Sequence, residues 1–121
     1  MPTLEERLHP GAFLVSEANG HRSREQGELA SGQDLPAGAV VGQIAASGAY
    51  AAYDPEATDG SEEVAGILYA GIDASEGAAA AVIIRRDAEV IEDHLTWFDA
   101  ATEGQITTGI AALAALGIIA R

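Results

Sequence analysis

Apolar positions group most clearly between Ala39 and Asp73, in the stretch AVVGQIAASGAYAAYDPEATDGSEEVAGILYAGID. The pattern predicts a strand over Val40 to Ile44, a turn at Ser47-Gly48 and a second strand over Ala49 to Tyr53. A polar loop bracketed by Asp54-Pro55 and Asp59-Gly60 follows, and then a third strand over Val64 to Ile72. That third strand is apolar on both faces, which predicts a central position in its sheet. Polar residues fall in the turns and apolar ones in the strands, so the stretch reads as scaffold.

Downstream, Ala74 to Ala78 reads as a loop of small residues and Ala79 to Arg85 as a fourth strand. Poly-alanine also suits a helix, but Val82, Ile83 and Ile84 are β-branched in series and favour the strand. Arg86-Asp87 predicts a tight turn, with Ala88 to Ile91 returning as the hairpin partner of the fourth strand. Thr102 to Leu116 is the one clear helix: Thr102 and Gln105 fit a capping box, and Ile106, Ile110 and Leu113 recur at helical spacing. Gly109 inside it costs about 1 kcal/mol relative to Ala. Gly117 suits the helix stop, and Gly117-Ile118-Ile119 reads as a short last strand.

Upstream, residues 1–28 carry one short apolar patch, Ala12 to Val15, in a polar setting broken at His9-Pro10-Gly11 and Asn19-Gly20. They cannot form a core alone and read as an extended N-terminal arm, with a frayed terminus as the alternative, on a β-rich body of residues 29–121 entered through the turn-rich Leu29 to Gly38. Phe13, Leu14 and Val15 suit addition as a strand to an exposed edge of a partner. Arg22 and Arg24, two residues apart, would face one side of an extended segment and could pair with acidic groups on a partner; two exposed arginines with no such role are the equal alternative.

Length and charge narrow the function. A chain of 121 residues makes one small domain with a marginal core, and without cysteine it has no disulfide to brace it; assembly onto a larger body supplies the missing burial. The net charge is −13, from nineteen carboxylates and six arginines with no lysine. Such a surface repels phosphate backbones, which argues against direct nucleic-acid binding. The arm holds three of the arginines and only five of the carboxylates, so the body carries most of the charge. No apolar run approaches a membrane span and no signal-peptide pattern opens the chain, so a soluble product made inside the cell is expected.

Catalytic chemistry is not legible. His9, His21 and His94 are scattered without metal-ligand spacing. The acidic loop Asp54, Glu56, Asp59, Glu62 and Glu63 does not match the twelve-residue calcium loop and reads as solvated. No phosphate-binding glycine loop with lysine and no Gly-x-Ser-x-Gly elbow occurs, and the adjacent Asp93 and His94 make no triad by themselves. The rival to a structural role is a small ligand-binding or hydrolytic β domain using loop 54–63, with a concave site lined by Tyr50, Tyr53 and Asp54. Trp97 and Phe98, in Leu95-Thr96-Trp97-Phe98, read with Tyr50 as anchors of the core or of a subunit interface.

An ordered series of these residues resembles the head decoration protein D family of lambda-like tailed bacteriophages. It runs from Leu35-Pro36-Ala37-Gly38-Ala39-Val40-Val41-Gly42 through Ser47-Gly48-Ala49-Tyr50 and Tyr53 to Asp59-Gly60-Ser61-Glu62-Glu63-Val64-Ala65-Gly66-Ile67-Leu68. It continues at Val82 to Arg85 and at Leu95-Thr96-Trp97, and upstream from Phe13 to Arg24 it looks like the arm of one branch of the family. The resemblance implies a mainly β, β-clip-like compact body with one C-terminal helix and an extended N-terminal arm. It implies no enzymatic activity, cofactor or metal. It implies homotrimers on the exterior of the expanded head at three-fold sites, clamping the major capsid protein against the pressure of packaged DNA. The arm would lie on the capsid, and the protein, made in the host cytoplasm, would end on the virion.

Overall fold

Three pairs of apolar neighbours, Val40-Val41, Ile67-Leu68 and Ile83-Ile84, set the architecture, because successive side chains of a strand point to opposite faces. In the computed structural model, which describes residues 9–20, 22–99 and 101–121, each pair is divided between two cores. The strands among these residues are β1 (Leu14–Glu17), β2 (Arg24–Leu29), β3 (Asp34–Leu35), β4 (Val40–Gln43) and β5 (Tyr50–Ala52). They continue as β6 (Gly66–Leu68), β7 (Ile72–Asp73), β8 (Ala79–Ile84), β9 (Ala88–Val90) and β10 (Ile118–Ala120). A 3-10 turn covers Glu92–His94 and helix α1 covers Glu103–Ala115. The protein is mainly β with a single C-terminal helix, as the sequence predicts.

Strands β2, β5, β4, β6 and β8 close into a barrel in that order. Its inner core gathers Leu29, Val41, Tyr50, Leu68, Ala81 and Ile83. The other member of each pair, Val40, Ile67 and Ile84, faces outward into a second core with Phe13, Tyr53, Val90, Leu113 and Ile118. That outer core lies between the barrel wall and a cover made of α1 and a three-stranded sheet ordered β1-β9-β10. Strand β6 is buried throughout and flanked by β4 and β8, the central position its two apolar faces predict.

Helix α1 begins as predicted. Thr102 Oγ1 accepts from the Gln105 N–H at 3.2 Å, and the Gln105 side chain accepts from the Thr102 N–H at 3.0 Å. Gly117, at φ +86°, ends the helix and lets β10 run parallel to β9.

The structure corrects the sequence reading in two places. The predicted third strand stops at Leu68, and Ile72–Asp73 leaves the barrel to pair with β3. β9 is not the hairpin partner of β8. Both edges of β8 are already taken, by β2 and β6, so after the bend at Asp87 (φ +54°) β9 pairs with β1 and β10 instead. Within the described part of the N-terminal segment, two stretches pair with strands of the body. Residues 24–29 match residues 84–79 of β8 pair for pair, and β1 lies on β9. A polar sequence such as REQGEL hides such a strand, because only its Leu29 end and Gly27 meet the inner core. The first eight residues of the arm lie outside the described residues, as does His21.

Candidate functional site

Where the small sheet meets the barrel, the chain crosses twice: from β1 to β2 and from β8 to β9. Four arginines gather at this joint, in a chain that has only six. Arg24 grips Glu17 with Nη2 at 2.5 Å and Nε at 3.1 Å, and its guanidinium lies 4.1 Å from the centre of the Tyr69 ring. The buried Ser23 hydroxyl donates to the same carboxylate at 2.5 Å. Arg86 donates to Glu25 at 2.6 Å and to the Arg22 carbonyl at 2.9 Å. Arg85 donates to the Tyr50 hydroxyl at 2.9 Å and lies 3.6 Å from Glu25. Arg22 reaches Asp87 at 3.7 Å across open solvent. The Glu17 carboxylate raises the pKa of Arg24, and the hydrogen bond from Arg86 holds Glu25 below the usual carboxylate range. Arg22 and Arg24 thus pair with carboxylates of their own chain, a use their spacing alone does not reveal.

The predicted arm residues divide by burial. Phe13 is fully buried in the outer core, Leu14 packs against that core, and Val15 stands 54% exposed. The register against β9 shifts between Leu14 and Ser16, which leaves Val15 unmatched on the outer strand. Across the sheet, Ile119 of β10 is 41% exposed. Between them Glu89 accepts from Ser16 Oγ and from Arg121 Nε, and these bonds, the arginine's first, lower its pKa. Val15 and Ile119 are the large apolar side chains left exposed among the described residues, and both lie on this sheet.

The aromatic residues also divide. Tyr50 belongs to the inner core, against Gly27, whereas Tyr53 belongs to the outer core. Tyr53 meets Trp97 and Phe98 edge to face, with ring centres 6.3 Å and 6.0 Å apart. Burial, with Asp54 beside it, raises the pKa of its phenol. Trp97 and Phe98 are half-buried at the rim of the outer core. Gly109, read from sequence only as a weak point of the helix, is the socket for the Trp97 ring. No sequence signal marks that pairing, because a glycine's packing partner has no pattern along the chain.

The acidic loop is self-bonded. Asp54 Oδ1 accepts from the Glu56 N–H at 2.9 Å, and Glu62 accepts from the Gly60 N–H at 2.7 Å. Asp59 Oδ1 accepts from the Ser61 hydroxyl at 2.6 Å and the Ser61 N–H at 3.0 Å, which lowers its pKa. Gly42 of β4 makes room for it: a Cβ there would meet the Ser61 carbonyl at 2.6 Å. Tyr50 and Tyr53 sit in separate cores, and Asp54 lines a surface hollow with Glu56, Phe98, Asp99, Thr102 and Gln105. Among the described residues, no group of three or more His, Asp or Glu side chains is arranged to hold a metal, and no helix is long and apolar enough to cross a membrane.

The family model of bacteriophage lambda head decoration protein D matches residues 3–118, nearly the whole chain. No curated protein gives a significant match. The chain belongs to the bacteriophage head decoration protein D family, whose members are structural proteins of the phage capsid.

Proposed function

We propose that this member of the head decoration family binds the exterior of the expanded head as a homotrimer at three-fold sites, and there clamps neighbouring major capsid proteins against the pressure of packaged DNA. The family match over residues 3–118 carries the reading. Three physical features support it. The body is small and its cores are modest, so docking adds burial it lacks. The surface is strongly acidic, which suits a protein beside packaged DNA that should not bind it. The outer sheet keeps Val15 and Ile119 uncovered.

Within this proposal the body serves as a β-clip-type platform and the N-terminal residues as the capsid-binding arm. Val15 and Arg22 are its exposed members in the described part, while Phe13, Leu14 and Arg24 fasten the arm's root to the body. The half-buried Trp97 and Phe98 are the candidates for subunit contact, while Tyr50 serves as an anchor of the inner core.

Co-sedimentation with expanded and unexpanded heads lacking the protein, followed by imaging, tests the reading. Saturable binding to expanded heads alone, as density at three-fold positions, is the expected result. Binding to neither head form by a folded protein would overturn it. Removal of residues 1–8 should weaken binding and leave the body folded; undiminished binding would remove those residues from the contact. A longer deletion through residue 24 is not informative, because it takes away Phe13 and β1.

A further inference from the structure

The chain contains two steps with the chemistry for succinimide formation, Asn19-Gly20 and Asp59-Gly60, and Asn19 is its sole asparagine. In such a step the backbone nitrogen of the glycine attacks the preceding side-chain carbonyl carbon. Glycine favours it, having no Cβ to obstruct ring closure. The two steps sit in opposite surroundings.

Asn19 and Gly20 are both exposed, in the crossing from β1 to β2, with Gly20 at φ +68° and, its chain neighbours aside, no described heavy atom within 4 Å of where its Cβ would stand. Among the described residues, hydrogen bonds hold the crossing on either side of this step, the Arg22 carbonyl accepting from Arg86 at 2.9 Å. The Ala18 N–H donates to the Asp87 carbonyl at 3.0 Å, and Ser23 and Arg24 hold Glu17. Asp59 and Gly60 are tied through their reacting atoms. The Gly60 N–H, which must become the nucleophile, donates to Glu62 at 2.7 Å. The Asp59 carboxylate accepts two bonds from Ser61 and stays anionic, a poor electrophile. Gly60 is also wedged in place: a Cβ there would stand 2.5 Å from the Gln43 carbonyl oxygen and 2.7 Å from the Ala45 nitrogen.

We propose that Asn19 is a site of spontaneous deamidation, with water as co-reactant, and that the turn around Asp59-Gly60 holds the equivalent step inert. The Gly20 nitrogen loses its proton to solvent base and bonds to the Asn19 Cγ. The Cγ–Nδ2 bond breaks and ammonia leaves. Water then adds to either carbonyl of the succinimide and opens it to aspartate or isoaspartate, with no change of oxidation state. The product carries one more negative charge, and in the isoaspartate one more backbone carbon, inside a loop fastened at both ends. The sheet and barrel are therefore expected to stay intact. On the decoration reading, from which this consequence alone follows, a protein fixed to a finished particle is not replaced, and the converted fraction records the particle's age.

The test uses the purified full chain, without heads, so its outcome does not depend on capsid binding. Native protein, protein in concentrated urea and the variant Asn19→Gln are incubated in warm, mildly alkaline buffer and peptide-mapped by mass spectrometry, with enzymatic detection of isoaspartate. Native protein should convert at residue 19 at a rate comparable to that in urea. Isoaspartate at residue 59 should form at least about tenfold more slowly in native protein than in urea, a difference of about 1.4 kcal/mol in barrier. The variant should acquire no isoaspartate at position 19. An Asn19 that converts in urea but is protected in the native chain would overturn the proposal, as would an Asp59 that isomerises natively as fast as in urea.

Discussion

The Trp97 indole lies against the α-carbon of Gly109, so closely that a Cβ on that glycine would stand 2.6 Å from Cη2 of the ring. The contact fixes helix α1 to the segment that follows the 3-10 turn. Gly109→Ala should gain about 1 kcal/mol of helix propensity and lose more by displacing the indole, since overpacking costs about 1–3 kcal/mol. A net destabilisation of about 1–2 kcal/mol in urea is expected, with a shifted emission spectrum from the sole tryptophan. In a Trp97→Ala background the same change should be neutral or stabilising, which a double-mutant cycle reads directly.

Phe13 and Val15 are two residues apart and predict opposite outcomes. Phe13→Ala should destabilise the body by about 3–5 kcal/mol, because it empties a fully buried site in the outer core. Val15→Asp should change stability by only about 0.5 kcal/mol and reduce head binding. Chemical denaturation and co-sedimentation of the two variants side by side separate anchoring from contact.

Glu17→Gln should weaken the joint between sheet and barrel. It keeps the shape but removes the charge that Arg24 and the buried Ser23 hydroxyl both address, so a loss of about 1–3 kcal/mol is expected. Hydrogen exchange should show it as faster opening of β1 and of the start of β2, with the centre of β4 unaffected.

Glu25 predicts the sign of an acid response. Its carboxyl is held below its ordinary value of 4.5, first by the hydrogen bond from Arg86. A group depressed in the folded state contributes stability fully above that value, and the contribution is lost as pH falls through the folded pKa. Thermal unfolding of the wild type should therefore drop more steeply below pH 4.5 than that of Glu25→Gln, and the two curves should run parallel above it.

The legible parts of the fold were those where pattern and local chemistry coincide. The capping box at Thr102 and Gln105, the stop at Gly117 and the two-faced strand at Gly66–Leu68 could all be read directly. Strand β2 could not, because it buries little beyond Leu29 and its place is set by its long pairing with β8. The pairing of β9 could not, because it depends on both edges of β8 being filled by distant strands. Of the site residues, Trp97 was marked by size and Val15 by an apolar patch. Phe13 as a core residue and Gly109 as a socket needed the tertiary fold, since neither partner is near in sequence.

The barrel wall has a consequence for how the chain finds its alignment. In most half-buried sheets, sliding one strand by one residue turns oily side chains to water, and that penalty enforces the register. Here Val40-Val41, Ile67-Leu68 and Ile83-Ile84 would remain apolar on both faces after such a slip. Polarity is blind to the error, so volume must detect it. The glycines do this: Gly27 beneath Tyr50, Gly42 beneath Ser61 and Gly66 against Ile83 each occupy a place with no room for a Cβ. A displaced strand would drive a side chain into at least one of them, so three missing side chains act as the keys that keep the wall in step.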